Sequence, residues 1–362
     1  MKRAAKVTAV ATLSALALAA CGAAPEDDSS SADGADNSDF KACMVSDAGG
    51  FDDKSFNESG KRGLDAASDE LGIETQTAES QANADYAPNI TNLVSEGCDM
   101  IVTVGFLLAT ATGDAATDNP DTEFAIVDST AQDADGNPIE LDNVKPLSFD
   151  TAQASYLAGY VAAGMSETGT VATYGGLQIP TVTIFMDGFV DGVAKYNEDN
   201  GTDVKTLGWD KEAQNGSFVG NFEDQAQGQQ LTQTFIEQGA DVVLPVAGPV
   251  GLGTLAAARD ADGVSVIWVD SDGVETNPDY SDIILTSVMK GIDAGVQDVI
   301  TTGVNDEFSN EAYVGTLENE GVGLAPFHDF EETVPQELKD QVDAIKQEII
   351  DGSIVVESPS AP

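Results

Sequence analysis

A carboxylate, two glycines and an aromatic ring lie together in residues 45–57 (VSDAGGFDDKSFN), and these groups suit the binding of a small ligand. Asp47 supplies a hydrogen-bond acceptor, the glycines leave the backbone open to close approach, and Phe56 offers a flat face for stacking. The pattern predicts a ligand-binding segment. The structural alternative is a glycine-rich turn with Phe56 packed into the core.

A strand and a helix must hold this segment in place. Residues 41–45 form an apolar run typical of a buried strand. Ser55 and Glu58 have the S-x-x-E spacing of a capping box, which puts Phe56 in the first turn of a helix that Gly72 ends. Because open α/β folds bind ligands at the carboxyl ends of their strands, the segment has the position of a binding loop.

Short apolar runs alternate with helical patterns along the whole chain. Continuous apolar strands separated by helices predict an α/β fold whose parallel sheets are covered on both faces. The runs are 42–45, 100–104, 124–127, 171–174, 204–207, 242–246 and 264–269.

A carboxylate or a glycine follows most of these runs. Any one of them is explained by a helix cap or a turn, but their recurrence indicates that they gather at the edge of the sheets where ligands bind. The glycine-rich stretch 248–253 has no Lys-Ser/Thr after it, so we interpret its turn as an approach of backbone to a neutral ligand. The residues are Asp47, Gly105, Asp128, Gly175, Gly248 and Asp270.

The second half of the chain repeats the aromatic residue at a helix start. Phe222 lies just before residues 224–227 (DQAQ), a cap-like beginning to a helix that ends at Gly239. If two lobes face each other across a cleft, Phe56 and Phe222 can enclose a flat ligand from both sides. The alternative is that each ring packs only against its own helix.

Composition excludes several classes of function. The formal net charge of −48 repels phosphate backbones, so no nucleic acid is expected as a partner. His328 is the one histidine of the chain, and no metal-ligand cluster or nucleotide-phosphate loop motif is present. We therefore expect a binding protein with no catalytic residues, no metal and no cofactor, and we interpret His328 as structural.

The N-terminus has the features of a bacterial lipoprotein. Basic residues precede an uncharged apolar run, 7–20, that is too short to span a bilayer, and Cys21 follows small residues. We predict a signal peptide at 1–20, a lipidated Cys21, an acidic disordered tether at 21–39 and attachment outside the cytoplasm through the lipid alone. The alternative is an ordinary signal peptidase site with an incidental cysteine. Residues 358–362 are predicted to be a loose tail.

Two cysteines remain in the folded part. Cys43 lies near the start of one predicted strand, and Cys98 lies just before another. If the two strands are parallel neighbours, their starts are adjacent and a disulfide is feasible. We favour the bridge and expect its role to be stability.

Four segments together resemble the basic membrane protein family, substrate-binding lipoproteins that include the purine nucleoside receptor A proteins. The resemblance extends from about residue 41 to residue 354. The segments are 47–57 (DAGGFDDKSFN), 124–128 (FAIVD), 179–193 (IPTVTIFMDGFVDGV) and the stretch from Phe222 to residues 269–272 (VDSD).

The resemblance implies a type I periplasmic-binding fold, in which two Rossmann-like lobes with parallel sheets are joined by a three-segment hinge. The first lobe is expected at 40–149 and 286–322, and the second at 150–285 and 323–357. The crossovers are expected near 148–151, 282–286 and 321–326.

The resemblance also implies an ABC importer's solute-binding protein that takes a nucleoside, for which we expect a purine, and delivers it to the permease. Phe56 and Phe222 would stack on the base, and Asp270 would accept the ribose diol. Asp47, Asn57, Asp128, Gly248 and Lys290 would complete the site. A sugar or sugar-derived signal is the alternative ligand. An enzyme that has kept the fold, such as a nucleoside hydrolase, is a further alternative, which the single histidine disfavours.

Overall fold

Residues 37–362 are described by a computed structural model of the chain. The predicted signal peptide, Cys21 and most of the predicted tether lie outside the described residues. Within the described part, no helix has both the length and the apolar character needed to cross a bilayer.

Fourteen strands are found among the described residues. In chain order they are β1 Lys41–Ser46, β2 Glu74–Ala78, β3 Met100–Val104, β4 Glu123–Val127, β5 Val144–Phe149, β6 Thr170–Gly175, β7 Lys205–Leu207, β8 Trp209–Asp210, β9 Asn215–Gly216, β10 Val242–Val246, β11 Ser265–Asp270, β12 Ile284–Lys290, β13 Tyr313–Gly315 and β14 Val322–Leu324.

Ten α-helices connect or flank these strands in the same part of the chain. They are α1 Phe56–Leu71, α2 Tyr86–Ser95, α3 Ala109–Asp118, α4 Thr151–Met165, α5 Pro180–Asn200, α6 Gln225–Glu237, α7 Gly251–Arg259, α8 Gly273–Thr276, α9 Ile292–Val304 and α10 Gln336–Ile350.

Two six-stranded sheets form the centres of two lobes. The first has the order β13-β5-β4-β3-β1-β2, and all its pairs are parallel. The second has the order β14-β12-β11-β10-β6-β7 and is parallel except for the β12–β14 pair. Successive residues of β1 enter different buried clusters, Cys43 on one face and Met44 on the other. Both faces of the first sheet are therefore covered, and the predicted α/β fold is confirmed.

Three of the strands that sequence analysis missed are short or polar. β2 (ETQTA) is half-exposed because it forms an edge of the first sheet. β13 and β14 have three residues each, too few for a recognisable apolar run. In these three strands the apolar pattern or the length is too weak to predict a strand.

The chain passes between the sheets three times: after β5, after β12, and between β13 and β14. The predicted position of the second crossing, 282–286, is wrong. Strand β12 pairs with β11 from Val266↔Ile284 to Asp270↔Met289, so the chain remains in the second lobe as far as Lys290. The first-lobe segment consequently begins with α9, which packs against α1, and not at residue 286.

The predicted loose tail, 358–362, is also corrected. Ser358 Oγ donates to Asp187 Oδ2 at 2.6 Å, and the hydroxyls of Ser360 and Thr183 lie 2.8 Å apart. Both partners lie on α5, so the tail is held along this helix of the second lobe.

Cys43 and Cys98 form a disulfide with their Cα atoms 6.0 Å apart. β1 and β3 are parallel neighbours with Ala42 opposite Met100, which is the arrangement that the sequence argument required. The bridge lies in the buried cluster on one face of the first sheet. It closes a loop that contains α1, β2 and α2.

We predict that replacing both cysteines by alanine lowers the free energy of unfolding by about 2–4 kcal/mol, because the disulfide restricts the unfolded chain. Urea unfolding of the two forms, followed by circular dichroism, measures the difference. Ligand affinity should be unchanged, since neither cysteine lies at the carboxyl ends of the strands. An equal unfolding midpoint in both forms would contradict the prediction.

Candidate ligand-binding site

A cavity lies between the carboxyl ends of the two sheets and encloses about 560 Å³ of empty space, including the part open to solvent at its mouth. Every residue that sequence analysis predicted for ligand binding lines it. These residues are Asp47, Phe56, Asn57, Asp128, Phe222, Gly248, Asp270 and Lys290. Their roles toward a ligand stay predictions; their convergence on one cavity is a structural fact.

Asp128 and Asp270 occupy equivalent positions in the two lobes. Asp128 directly follows β4, and Asp270 is the last residue of β11; each of these strands is third in the order of its sheet. Both have left-handed backbone, with φ of 64° for Asp128 and 68° for Asp270. This conformation costs a non-glycine residue roughly 1 kcal/mol and is tolerated best by Asp and Asn. The strained turns aim both carboxylates into the cleft.

Lys290, the last residue of β12, joins these two carboxylates. Its Nζ forms an ion pair with Asp128 Oδ2 and lies 3.7 Å from Asp270 Oδ1. Burial raises the pKa of Asp128, and the lysine opposes that rise. Because Asp128 belongs to the first lobe and Lys290 to the second, the ion pair links the lobes at the cavity.

Three aromatic rings surround the same ammonium group. Lys290 Nζ lies 5.0 Å from the centroid of the Phe56 ring, 5.3 Å from that of Phe185 and 5.7 Å from that of Phe149. Ring faces attract a cation at these distances. Phe185 also lines the cavity and was not predicted, because it lies inside α5 where an apolar residue is normally core.

Asp47 follows β1 and is almost fully buried. Burial raises the pKa of its carboxyl group to about 8, the Asn57 hydrogen bond opposes this, and the nearby Asp53, Asp128 and Asp270 raise it further. The Asp47 side chain lies close to Gly105, the residue after β3. A Cβ at Gly105, whose φ is 122°, would lie 2.3 Å from Asp47 Oδ2, so this position favours glycine.

Asp53 is a cavity residue that sequence analysis missed. Its side chain caps α1, and the predicted capping box of Ser55 and Glu58 is wrong. Ser55 makes no side-chain cap at α1. Instead the Asp53 carboxylate accepts backbone N–H bonds from Ser55, Asn57 and Glu58 at 2.8–3.0 Å. Aspartate is among the best helix caps, so its position two residues before Ser55 was the available signal.

The Ser55 hydroxyl forms a hydrogen bond from the first lobe to the second. Its Oγ lies 3.0 Å from Asp270 Oδ2 and 3.1 Å from the carbonyl oxygen of Val269. Ser271 Oγ in turn donates to the Ser55 carbonyl at 3.1 Å, and the Trp268 indole N–H donates to the Lys54 carbonyl at 3.2 Å. The start of α1 is thus bonded directly to the end of β11.

Phe222 enters the cavity from the second lobe. It precedes α6, where Asp224 Oδ1 accepts the Gln227 N–H at 3.0 Å and so forms the cap that the sequence predicts. Gly176 makes room for the ring, because a Cβ there would lie 2.3 Å from it. One phenylalanine from each lobe therefore lines the same cavity.

No group of three metal-ligating side chains occurs between residues 37 and 362. His328 lies outside the cavity lining, and its Nε2 is 2.7 Å from Asp272 Oδ2.

Comparison with known proteins identifies the family. Residues 40–359 match the family described as ABC transporter substrate-binding protein PnrA-like. The ABC transporter nucleoside-binding protein BmpA of Lactococcus lactis subsp. cremoris is 32% identical over 99% of each chain. Basic membrane protein A of Borreliella burgdorferi is 28% identical over 88% of each chain.

The fold agrees with that family. A solute-binding protein of an ABC transporter system from Aeropyrum pernix K1 has a TM-score of 0.79 at 24% identity, over 88% of this chain and 94% of the other. This likeness confirms the periplasmic-binding fold. Members of the family are extracytoplasmic substrate-binding proteins and not enzymes. The chain belongs to the PnrA-like family of ABC transporter substrate-binding proteins.

Proposed function

We propose that this protein is a lipid-anchored receptor that captures a nucleoside, and more narrowly a purine nucleoside, between its lobes and delivers it to an ABC permease. The observation that carries the proposal is that Phe56 and Phe222, one from each lobe, line one cavity together with Asp270 and Lys290.

The chemistry of the cavity suits a flat, neutral ligand rich in hydroxyl groups. Aromatic rings stack on a nucleobase with a gain of about 1–3 kcal/mol per base. A carboxylate such as that of Asp270 accepts two hydrogen bonds and so fits the cis-diol of a ribose.

Charge argues against an anionic ligand. Besides Asp47, whose pKa of about 8 leaves it protonated at neutral pH, three aspartates line the cavity, Asp53, Asp128 and Asp270, against the single cation Lys290 among the lining residues. A phosphate group would meet excess negative charge in a buried site, which favours a nucleoside over a nucleotide. The printed name of the Lactococcus lactis relative, a nucleoside-binding protein, supports the same ligand class.

Calorimetric titration of the purified protein, unfolded and refolded to remove bound ligand, tests the proposal. We expect one-to-one binding of guanosine, inosine or adenosine and no heat with ribose. Binding of ribose in place of nucleosides would instead establish the sugar-receptor alternative.

Two variants locate the ligand in the cavity. Asp270→Asn, which suits the left-handed backbone, should weaken binding about 10–100-fold because a charge-assisted hydrogen bond is lost. Phe222→Ala should weaken it about tenfold or more through lost stacking. Asp260→Asn, an exposed change outside the cavity, is the control. Wild-type affinity in either cavity variant removes that residue from the site.

The raised pKa of Asp47 makes the stability of the ligand-free protein depend on pH. The folded pKa of about 8 exceeds the ordinary 3.8, so this group's contribution to stability is full below about pH 4 and is lost as the pH rises toward 8. Asp47→Asn, which cannot ionise, should gain Tm relative to wild type as the pH rises, by about 4 °C or more between pH 5 and pH 8.

Differential scanning fluorimetry measures both melting curves. Asp52→Asn is the matched control, because the Asp52 side chain is 95% exposed, and its Tm difference from wild type should not vary with pH in this way. A constant difference between Asp47→Asn and wild type would show that Asp47 ionises normally in the folded protein.

Lipid attachment at Cys21 is tested in a bacterial host fed labelled palmitate. Wild-type protein should incorporate the label and sediment with membranes, whereas Cys21→Ala should do neither. The Cys43→Ala/Cys98→Ala double variant is the control and should be labelled like wild type. Unlabelled wild-type protein would refute the anchor, and label on the Cys21→Ala protein would place the lipid on another residue.

A further inference from the structure

We propose that Asp53 is a positioning residue that holds the Asn57 amide with its carbonyl oxygen free for the ligand, so that the site selects bases with N–H donors at their edge, as in guanosine. This inference rests on the proposed function and names the class of nucleoside that the same site prefers.

The Asp53 carboxylate is itself immobile. Only 3% of the residue is exposed, and its Oδ1 accepts the backbone N–H groups of Ser55 and Glu58, each at 3.0 Å. Its Oδ2 accepts the backbone N–H of Asn57 at 2.8 Å. Three hydrogen bonds from the first turn of a helix leave this carboxylate one orientation.

Asp53 and Asp47 together fix the Asn57 side chain. The amide Nδ2 lies 2.9 Å from Asp47 Oδ1 and 3.2 Å from Asp53 Oδ2. An amide nitrogen has two hydrogens, so both are committed to carboxyl oxygens, one of Asp47 and one of Asp53. Rotating the amide by half a turn would place its oxygen against the Asp53 carboxylate, which already accepts three backbone N–H groups, so Asp53 fixes the assignment of the nitrogen and the oxygen.

The remaining polar atom, Asn57 Oδ1, is buried and has no hydrogen-bond partner within residues 37–362. Asn57, Asp47 and Asp53 all line the cavity. A buried acceptor without a partner is costly, and a ligand that supplies a donor removes that cost. The Asn57 amide thus offers the ligand an acceptor and no hydrogen.

The position of Asn57 relates this acceptor to a base. Phe56 and Asn57 line the same cavity, and we infer that a base stacked on the Phe56 ring presents an edge to the Asn57 amide. Guanine presents adjacent donors there, N1–H and the 2-amino group, for Asn57 Oδ1 and the neighbouring Asp47 carboxyl group. Purine riboside has the same ring and ribose but no donor on its base.

Calorimetric titration with guanosine and purine riboside tests the inference in three proteins. Wild type should bind guanosine about tenfold or more tightly than purine riboside, because a site built to bond an N–H rejects the analogue that lacks it. In Asp53→Asn the Asn57 amide loses one anchor and can turn over, so the affinity ratio should fall to about threefold or less. Asp52→Asn, one residue away and exposed, should keep the wild-type ratio.

The ratio separates positioning from stability. Damage to the fold lowers both affinities together and leaves their ratio unchanged, because the two ligands share ribose and ring. If Asp53→Asn does not fold, Asp53→Ser replaces it, since serine also caps helices but is too short to hold the Asn57 amide. The same fall in the ratio is expected.

Three results would overturn the inference. Equal affinities of wild type for the two ligands would show that the site does not require an N–H donor on the base, although the protein would still be a nucleoside receptor. A full wild-type ratio in a folded Asp53 variant would remove Asp53 from selectivity. Failure of wild type to bind either ligand would overturn the proposed function and this inference with it.

Discussion

The arrangement of the site depends on one buried ion-pair network, Lys290 between Asp128 and Asp270. Removing a charge from water costs several kcal/mol, and only well-placed opposite charges offset that cost. Two carboxylates of equivalent origin in the two lobes, both on left-handed backbone, meet the lysine at the cavity. Without the lysine the negative charges of the two carboxylates would repel each other across the cavity. The network therefore makes an acidic cavity compatible with lobes in contact.

Contact between the lobes does not rest on this network alone. The Ser55 hydroxyl has one hydrogen and two acceptors within reach, Asp270 Oδ2 and the Val269 carbonyl. Its bond therefore connects the contact between the lobes to the orientation of a carboxylate that lines the cavity. A ligand that binds both lobes favours this arrangement only by the difference between its contacts in the closed and open forms.

Topology explains how much of the site the sequence predicts. Asp47, Asp128 and Asp270 follow central, continuously apolar strands, and the carboxyl ends of parallel strands meet at one edge of a sheet. The role of Asp53 was missed because Asp52, Asp53 and Ser55 are all good helix caps, and local pattern does not rank them. The bonds of Ser55 to Asp270 and the place of β12 in the second sheet depend on how distant segments meet. Such contacts have no periodic signature in the sequence.

The hydrogen bond from the Trp268 indole to the Lys54 carbonyl spans the two lobes, whereas that from the Trp209 indole to Asp187 Oδ1, at 2.8 Å, stays within the second lobe. Indole emission depends on the polarity around the ring and on the partner of its N–H group. The chain thus carries its own optical probe of the contact between the lobes, with Trp268 as the responsive fluorophore and Trp209 as an internal reference. Any separation of the lobes would be measurable by stopped-flow fluorescence without an added label.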